Sequence, residues 1–171
     1  MAERLVKTNR KKTSAVVPKS KKSKMVLKRV YDAPRELVWE AWVDTKLLSR
    51  LWGASGLSNP VREVDLKEGG AIRIHMRTPE GVIYPIGGFF KKIVSPQQMV
   101  FTSVTLDKQD QPILENLNTV TFEKQGEKTL LTLAAEVVRA TGDAEPHLKE
   151  IKDGWAQGLE RLADRMKRYI D

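Results

Sequence analysis

The chain has 171 residues, of which 40% are hydrophobic and 30% charged, a size and balance that fit one ordinary domain with a core of its own. It contains no cysteine, which excludes disulfides, thiolate metal sites and cysteine nucleophiles and suits a reducing compartment. No apolar run approaches the roughly 20 residues needed to span a bilayer, and the N-terminus lacks the apolar segment of a secretory signal, so the expected location is the cytoplasm.

The net charge of +8 is concentrated at one end. Residues 1–24 carry nine Lys or Arg against Glu3 alone, so the remaining chain is neutral. The basic residues include Arg4, Lys7, Arg10, Lys11, Lys12, Lys19, Lys21, Lys22 and Lys24. The segment is polar, lacks aromatic residues and has no sustained periodicity, which predicts a flexible tail preceding a domain at 25–171. Two roles fit it: a solubilising extension, or an electrostatic arm giving weak, salt-sensitive contact with nucleic acid or an anionic surface. Without aromatics to stack on bases, specific single-strand readout is not expected from it.

From Met25 the pattern changes. "MVLKRVY" reads as a strand, and "DAPREL" as a helix start with Asp32 as cap and Pro34 in the first turn. Leu37, Val38, Ala41 and Trp42 form one apolar stripe; Trp39 falls off it, as a half-exposed residue or a contact surface. Asp44 can cap a second short helix, "TKLLSRLW", ended by Gly53, and "SGLSNP" reads as loop.

A strand-rich block follows. "VREVDL" is broken from "AIRIHMR" by Gly69-Gly70, and the latter alternates Ile72, Ile74 and Met76 against Arg73, His75 and Arg77. "TPEG" and "SPQQ" are turns bounding "VIYPIGGFFKKIV", and "MVFTSVTL" is the next strand. After the polar loop "DKQDQP", "NLNTVTFEKQGEKTLLTLAAEVV" reads as a hairpin around Gln125-Gly126-Glu127. About six strands with short connections imply an antiparallel sheet.

The last element is a long amphipathic helix. Leu148, Ile151, Trp155, Leu159, Leu162, Met166 and Tyr169 recur at spacings of three and four. Gly154 and Gly158 lie beside this stripe; each costs about 1 kcal/mol relative to alanine in a helix interior. They serve either the close approach of a strand or open volume for a ligand. The expected fold class is α+β: a curved antiparallel sheet of about six or seven strands, two short helices after the first strand, and one long C-terminal helix.

These segments carry a resemblance. "YDAPRELVWEAWVDTKLLSRLWG", the "EGG" before a strand, "TPEG", "GGFFKKIVSPQQMVFT", "VTFEKQGEKTLLTL" and "GWAQGLERL" resemble, in order, the family named for the activator of the heat-shock-chaperone ATPase. That family belongs to the START-like, helix-grip (Bet v-like) superfamily, and the likeness covers about residues 25–168. It implies a sheet gripping the C-terminal helix, with the small helices closing one end of a hydrophobic tunnel. Members of the superfamily bind lipids, hormones or polyketides, cyclise aromatic intermediates or regulate partners, so the fold alone does not transmit a function. No segment here matches those with which the chaperone activator contacts its partner.

The resulting candidate pocket residues are Trp42, Trp52, Met76, Tyr84, Phe90, Phe101, Phe122, Trp155, Gly158 and Leu159, with Trp42 weighed chiefly as core and Trp52 as either core or pocket wall. Catalysis has little support. Of the two histidines, His75 falls on the polar side of its strand and His147 in the first turn of the last helix, both expected exposed. No zinc-ligand spacing, nucleophile elbow or phosphate loop occurs. Glu115 and Glu136, with Tyr84 and Thr121, are the residues left for cofactor-free acid–base chemistry. The expectation is a non-catalytic, cofactor-free and metal-free domain binding a hydrophobic or aromatic small molecule between sheet and helix. The alternatives are a partner-binding module using Trp39 and the basic arm, and a cofactor-independent cyclase- or hydrolase-like enzyme.

Overall fold

The chain builds a seven-stranded antiparallel sheet with its helices packed on one face, in a computed structural model that describes residues 23–44, 58–107 and 109–170. In chain order the elements are β1 (Lys24–Tyr31), α1 (Arg35–Val43), β2 (Ser58–Val64), β3 (Ala71–Arg77), β4 (Ile83–Val94), β5 (Gln98–Leu106), β6 (Pro112–Gln125), β7 (Lys128–Ala140) and α2 (Glu145–Ile170). The sheet order is β1-β7-β6-β5-β4-β3-β2: a meander from β2 to β7, with β1 added beside β7. The α+β helix-grip expectation holds for the sheet, α1 and the C-terminal helix. The second short helix, Gly53 and Trp52 lie outside the described residues, as do tail residues Lys7, Arg10, Lys11, Lys12, Lys19, Lys21 and Lys22. Lys24, read as the last residue of the tail, opens β1 opposite Glu136.

Local chemistry explains most boundaries, with some corrections. Pro34, not Asp32, occupies the cap position of α1 and makes no side-chain cap bond; its carbonyl accepts from the N–H groups of Leu37 and Val38. Asp32 sits two residues too early to cap. The acidic residue at the helix start is Glu36, whose own backbone N–H, with Lys124 and Arg35 nearby, holds its carboxyl below the ordinary value. Strand β2 reaches back into "SNP", read as loop; as an edge strand with a bulge between Ser58 and Val61 it accommodates Pro60. Likewise β6 starts at Pro112, the first position of a strand being one where a missing N–H is tolerated.

Two glycine sites shape the sheet. Gly126 opens the two-residue loop of the β6–β7 hairpin at φ 64°, with Gln125 paired to Lys128. In β4, Gly88 passes so close to the Thr102 carbonyl that a Cβ there would collide with it. The same spot is stitched by Phe89 N–H donating to Thr102 Oγ1 at 3.1 Å.

The core lies between the concave face of the sheet and the helices. Val120, Phe122, Leu131, Leu133, Ala135, Met99, Phe101, Phe90, Ile72 and Ile74 present one continuous apolar face. Against it pack Trp39 and Trp42 of α1 and Leu148, Trp155, Leu159, Leu162 and Met166 of α2. From Leu148 to Met166 the α2 stripe is thus as the spacing predicts, with Ile151 partly buried; the Tyr169 side chain lies outside the described residues.

Candidate functional site

Alternation fixes which side chains reach the concave face. On β4, Ile86 and Phe90 point inward opposite Thr105 and Phe101 of β5; on β3, Ile72, Ile74 and Met76 do so, Met76 lying opposite Tyr84. On β6 the inward set is Leu114, Asn116, Asn118, Val120 and Phe122, all buried.

Six aromatic rings join the helices to this face. Trp39 meets Phe122 edge-on at 5.2 Å between centroids, Phe122 meets Trp42 at 6.1 Å, and Trp42 stacks on Trp155 at 5.7 Å. Trp155 then contacts Phe101 at 6.3 Å, and Phe101 contacts Phe90 at 6.3 Å. Trp39 is therefore not half-exposed: at 6% it is core. The stripe reading failed because α1 packs against both the sheet and α2, so it buries more than one face. From Phe101 and Phe90, both buried, the same face continues through Ile86 and Met76, partly buried, to Tyr84, 46% exposed.

The helix is held at one side of the sheet. Its approach is closest to β1, where Tyr31 donates to the Leu159 carbonyl at 2.9 Å, one residue beyond the buried Gly158. Beside it Arg29 forms a two-pronged ion pair with Glu160 and lies 5.7 Å from the Tyr31 ring centroid. Burial pushes the Tyr31 phenol well above its ordinary value, and the Arg29 charge offsets only part of that. At the other end Ser23 donates to Glu145, the first residue of α2, at 3.0 Å. Gly154, like Gly158, is buried. The Tyr31 bond brings β1 to the turn of α2 that carries Gly158.

Candidate pocket residues thus divide into three groups. Trp42, Phe90, Phe101, Phe122, Trp155, Gly158 and Leu159 are buried between sheet and helices, Met76 and Tyr84 lie toward the rim, and Trp52 is outside the described residues. The acid–base candidates Glu115 and Glu136 fall on the convex face, out of phase with Leu114, Asn116 and Ala135, and so does Thr121. His75 and His147 are half-buried, less exposed than their positions suggest. Among the described residues no group of His, Asp and Glu is placed to hold a metal ion.

The residues missed by sequence reasoning are Asn116 and Asn118. "NLN" suggests polar residues outward and Leu117 inward. The structure does the reverse: both asparagines are 1% exposed on the concave face. The signal was the phase of the strand. Val120 and Phe122 set the inward positions, and counting back by two lands on Asn118 and Asn116. Asn118 Nδ2 donates to the Phe101 carbonyl at 3.3 Å and approaches Ser103 Oγ at 3.0 Å. A main-chain carbonyl only accepts, so this contact fixes which end of the amide faces it. Among the described residues the Asn118 and Asn116 amide oxygens have no hydrogen-bond partner, and neither does Trp42 Nε1.

Among solved structures, an AHSA1 protein from Silicibacter pomeroyi is 28% identical, with a TM-score of 0.70 over 86% of this chain and 99% of that one. A protein from Nitrosomonas europaea is 24% identical (TM-score 0.71; 85% and 95% covered), and one from Chromobacterium violaceum is also 24% identical (TM-score 0.70; 82% and 94% covered). No curated protein matches the chain. The family described as "Activator of Hsp90 ATPase homolog 1-like protein" matches residues 32–171, from the start of the α1 segment through α2. With the fold and the family match in agreement, the chain belongs to this AHSA1 family of START-like domains.

Proposed function

We propose that this domain binds a hydrophobic or aromatic small molecule between the concave face of the sheet and α2, without a cofactor and without chemistry of its own. The observation that carries this reading is the graded apolar lining: buried Phe101 and Phe90, then half-covered Ile86 and Met76, then the open Tyr84. A largely apolar lining with a few polar groups that runs from buried core to an exposed edge is the composition binding clefts present. The family and fold are compatible with ligand binding or regulation and name no ligand.

The test is thermal unfolding of the purified chain against fatty acids, flavonoids, polyketides and steroids. A compound that binds only the folded state raises the melting temperature in a concentration-dependent way. Saturable stabilisation by one chemical class supports the reading; no shift with any class contradicts it.

A partner-binding reading has its own observation. Val26 and Val30 on β1 and Val138 on β7, the last 62% exposed, leave apolar side chains on the convex side of the β1 edge. Trp39 does not contribute to such a surface, being core.

A further inference from the structure

We propose that Asn116 and Asn118 form a polar subsite that recognises a hydroxyl group on an otherwise apolar ligand. The inference rests on the binding reading above and specifies the ligand's chemistry. Both side chains are 1% exposed, lie on the same face of β6 two residues apart, and keep amide oxygens with no partner among the described residues. A buried acceptor left unpaired is among the costlier features a fold can carry, and native structures retain few of them. Leucine at either position would be the simple solution for a face whose neighbours on the same strand are Leu114, Val120 and Phe122.

The surroundings define what the oxygens can accept. Asn118 is flanked across the sheet by Phe101 and Ala135, and Asn116 by Ser103 and Val137. These neighbours are apolar apart from Ser103, whose hydroxyl lies 3.0 Å from the Asn118 amide nitrogen. Because the Phe101 carbonyl engages that nitrogen, the Asn118 oxygen is left facing away from β5 as an acceptor. No cation faces the pair from β5 or β7, so the subsite suits a neutral donor rather than an anion. Phe101 connects this spot directly to Trp155 and the aromatic cluster, so a ring lying along those side chains can carry its hydroxyl to the amides. Phenols, sterols and hydroxylated lipids share this chemistry. Both side chains are 1% exposed, so a ligand reaches the amides only when the packing over this face opens.

The test uses two probes of nearly the same shape, 2-naphthol and 2-methylnaphthalene, titrated into the full chain and followed by tryptophan fluorescence and thermal unfolding. The inference predicts that the naphthol binds about tenfold more tightly, the expected gain from one hydrogen bond to an otherwise unpaired buried acceptor. Asn116→Leu, Asn118→Leu and the double variant bring the two probes to within about twofold of each other. Asn116→Leu keeps or raises the melting temperature, since it removes an unsatisfied group, whereas a purely structural amide would lower it. Equal affinities in the unmutated chain, or a naphthol preference that survives the double variant, overturn the subsite and leave the binding reading standing. Failure of both probes to bind overturns the subsite, and the wider compound panel then decides the binding reading separately. The probe comparison in the unmutated chain decides the matter even if a variant fails to fold.

Discussion

Replacing Tyr31 by Phe should make the chain less stable at neutral pH and more stable in strong alkali. The hydroxyl donates to the Leu159 carbonyl at 2.9 Å, joining β1 to α2. Removing it loses one buried hydrogen bond, about 1 kcal/mol, and strands no donor. Ionisation works in the opposite sense. Burial raises the phenol's folded-state value above the ordinary 10, so the unfolded chain gives up this proton first. A group raised on folding contributes its stability fully below the unfolded value and loses it as pH climbs toward the folded one. Within that window each pH unit costs about 1.4 kcal/mol. The penalty matches the lost hydrogen bond at about pH 10.5–11, where the stability curves of the two proteins should cross. Urea unfolding across the alkaline range measures both. Curves that stay parallel through this region would show that Tyr31 ionises as an exposed phenol does, and would refute the buried tether.

Other substitutions test the packing. Gly88→Ala places a Cβ against the Thr102 carbonyl and should destabilise by about 2 kcal/mol or more, while Gly87→Ala meets nothing within 4 Å and should be tolerated; paired melting curves compare them. Phe122→Leu loses its edge contacts with Trp39 and Trp42 and leaves a small void, a cost of about 2–3 kcal/mol by chemical denaturation. Glu36→Gln acts in acid: because its carboxyl lies below the ordinary 4.5 in the fold, its contribution is present above that value and lost as pH falls. The variant should therefore show a shallower acid-side decline, and an unchanged decline would remove Glu36 from the account.

The sheet order and the α2 stripe were legible because each depends on a period: two for strands and three to four for the helix. Leu148, Trp155, Leu159, Leu162 and Met166 are all buried as that spacing requires. Trp39 was misread because a stripe assumes one buried face, and α1 has two neighbours. The strand starts at Ser58 and Pro112 were missed because proline argues against strand unless the edge position or first position is known, which only tertiary pairing supplies. Asn116 and Asn118 were hidden by their polarity: hydropathy puts them outward, and only the phase fixed by Val120 and Phe122 puts them inward. What lines the site was therefore readable as an inventory of aromatics, while its polar element required the register.

The central claim is that an apolar molecule lodges between the concave face and α2, and its location can be measured directly. Backbone and methyl resonances of the full chain, titrated with 2-naphthol, would report which face the probe touches. The account predicts saturable shifts at Met76, Ile86, Leu133 and Ile151, residues of the core and its partly buried margin, with little change at Val26, Val30 and Val138. Shifts confined to those three valines of the convex side, or none that saturate, would contradict it.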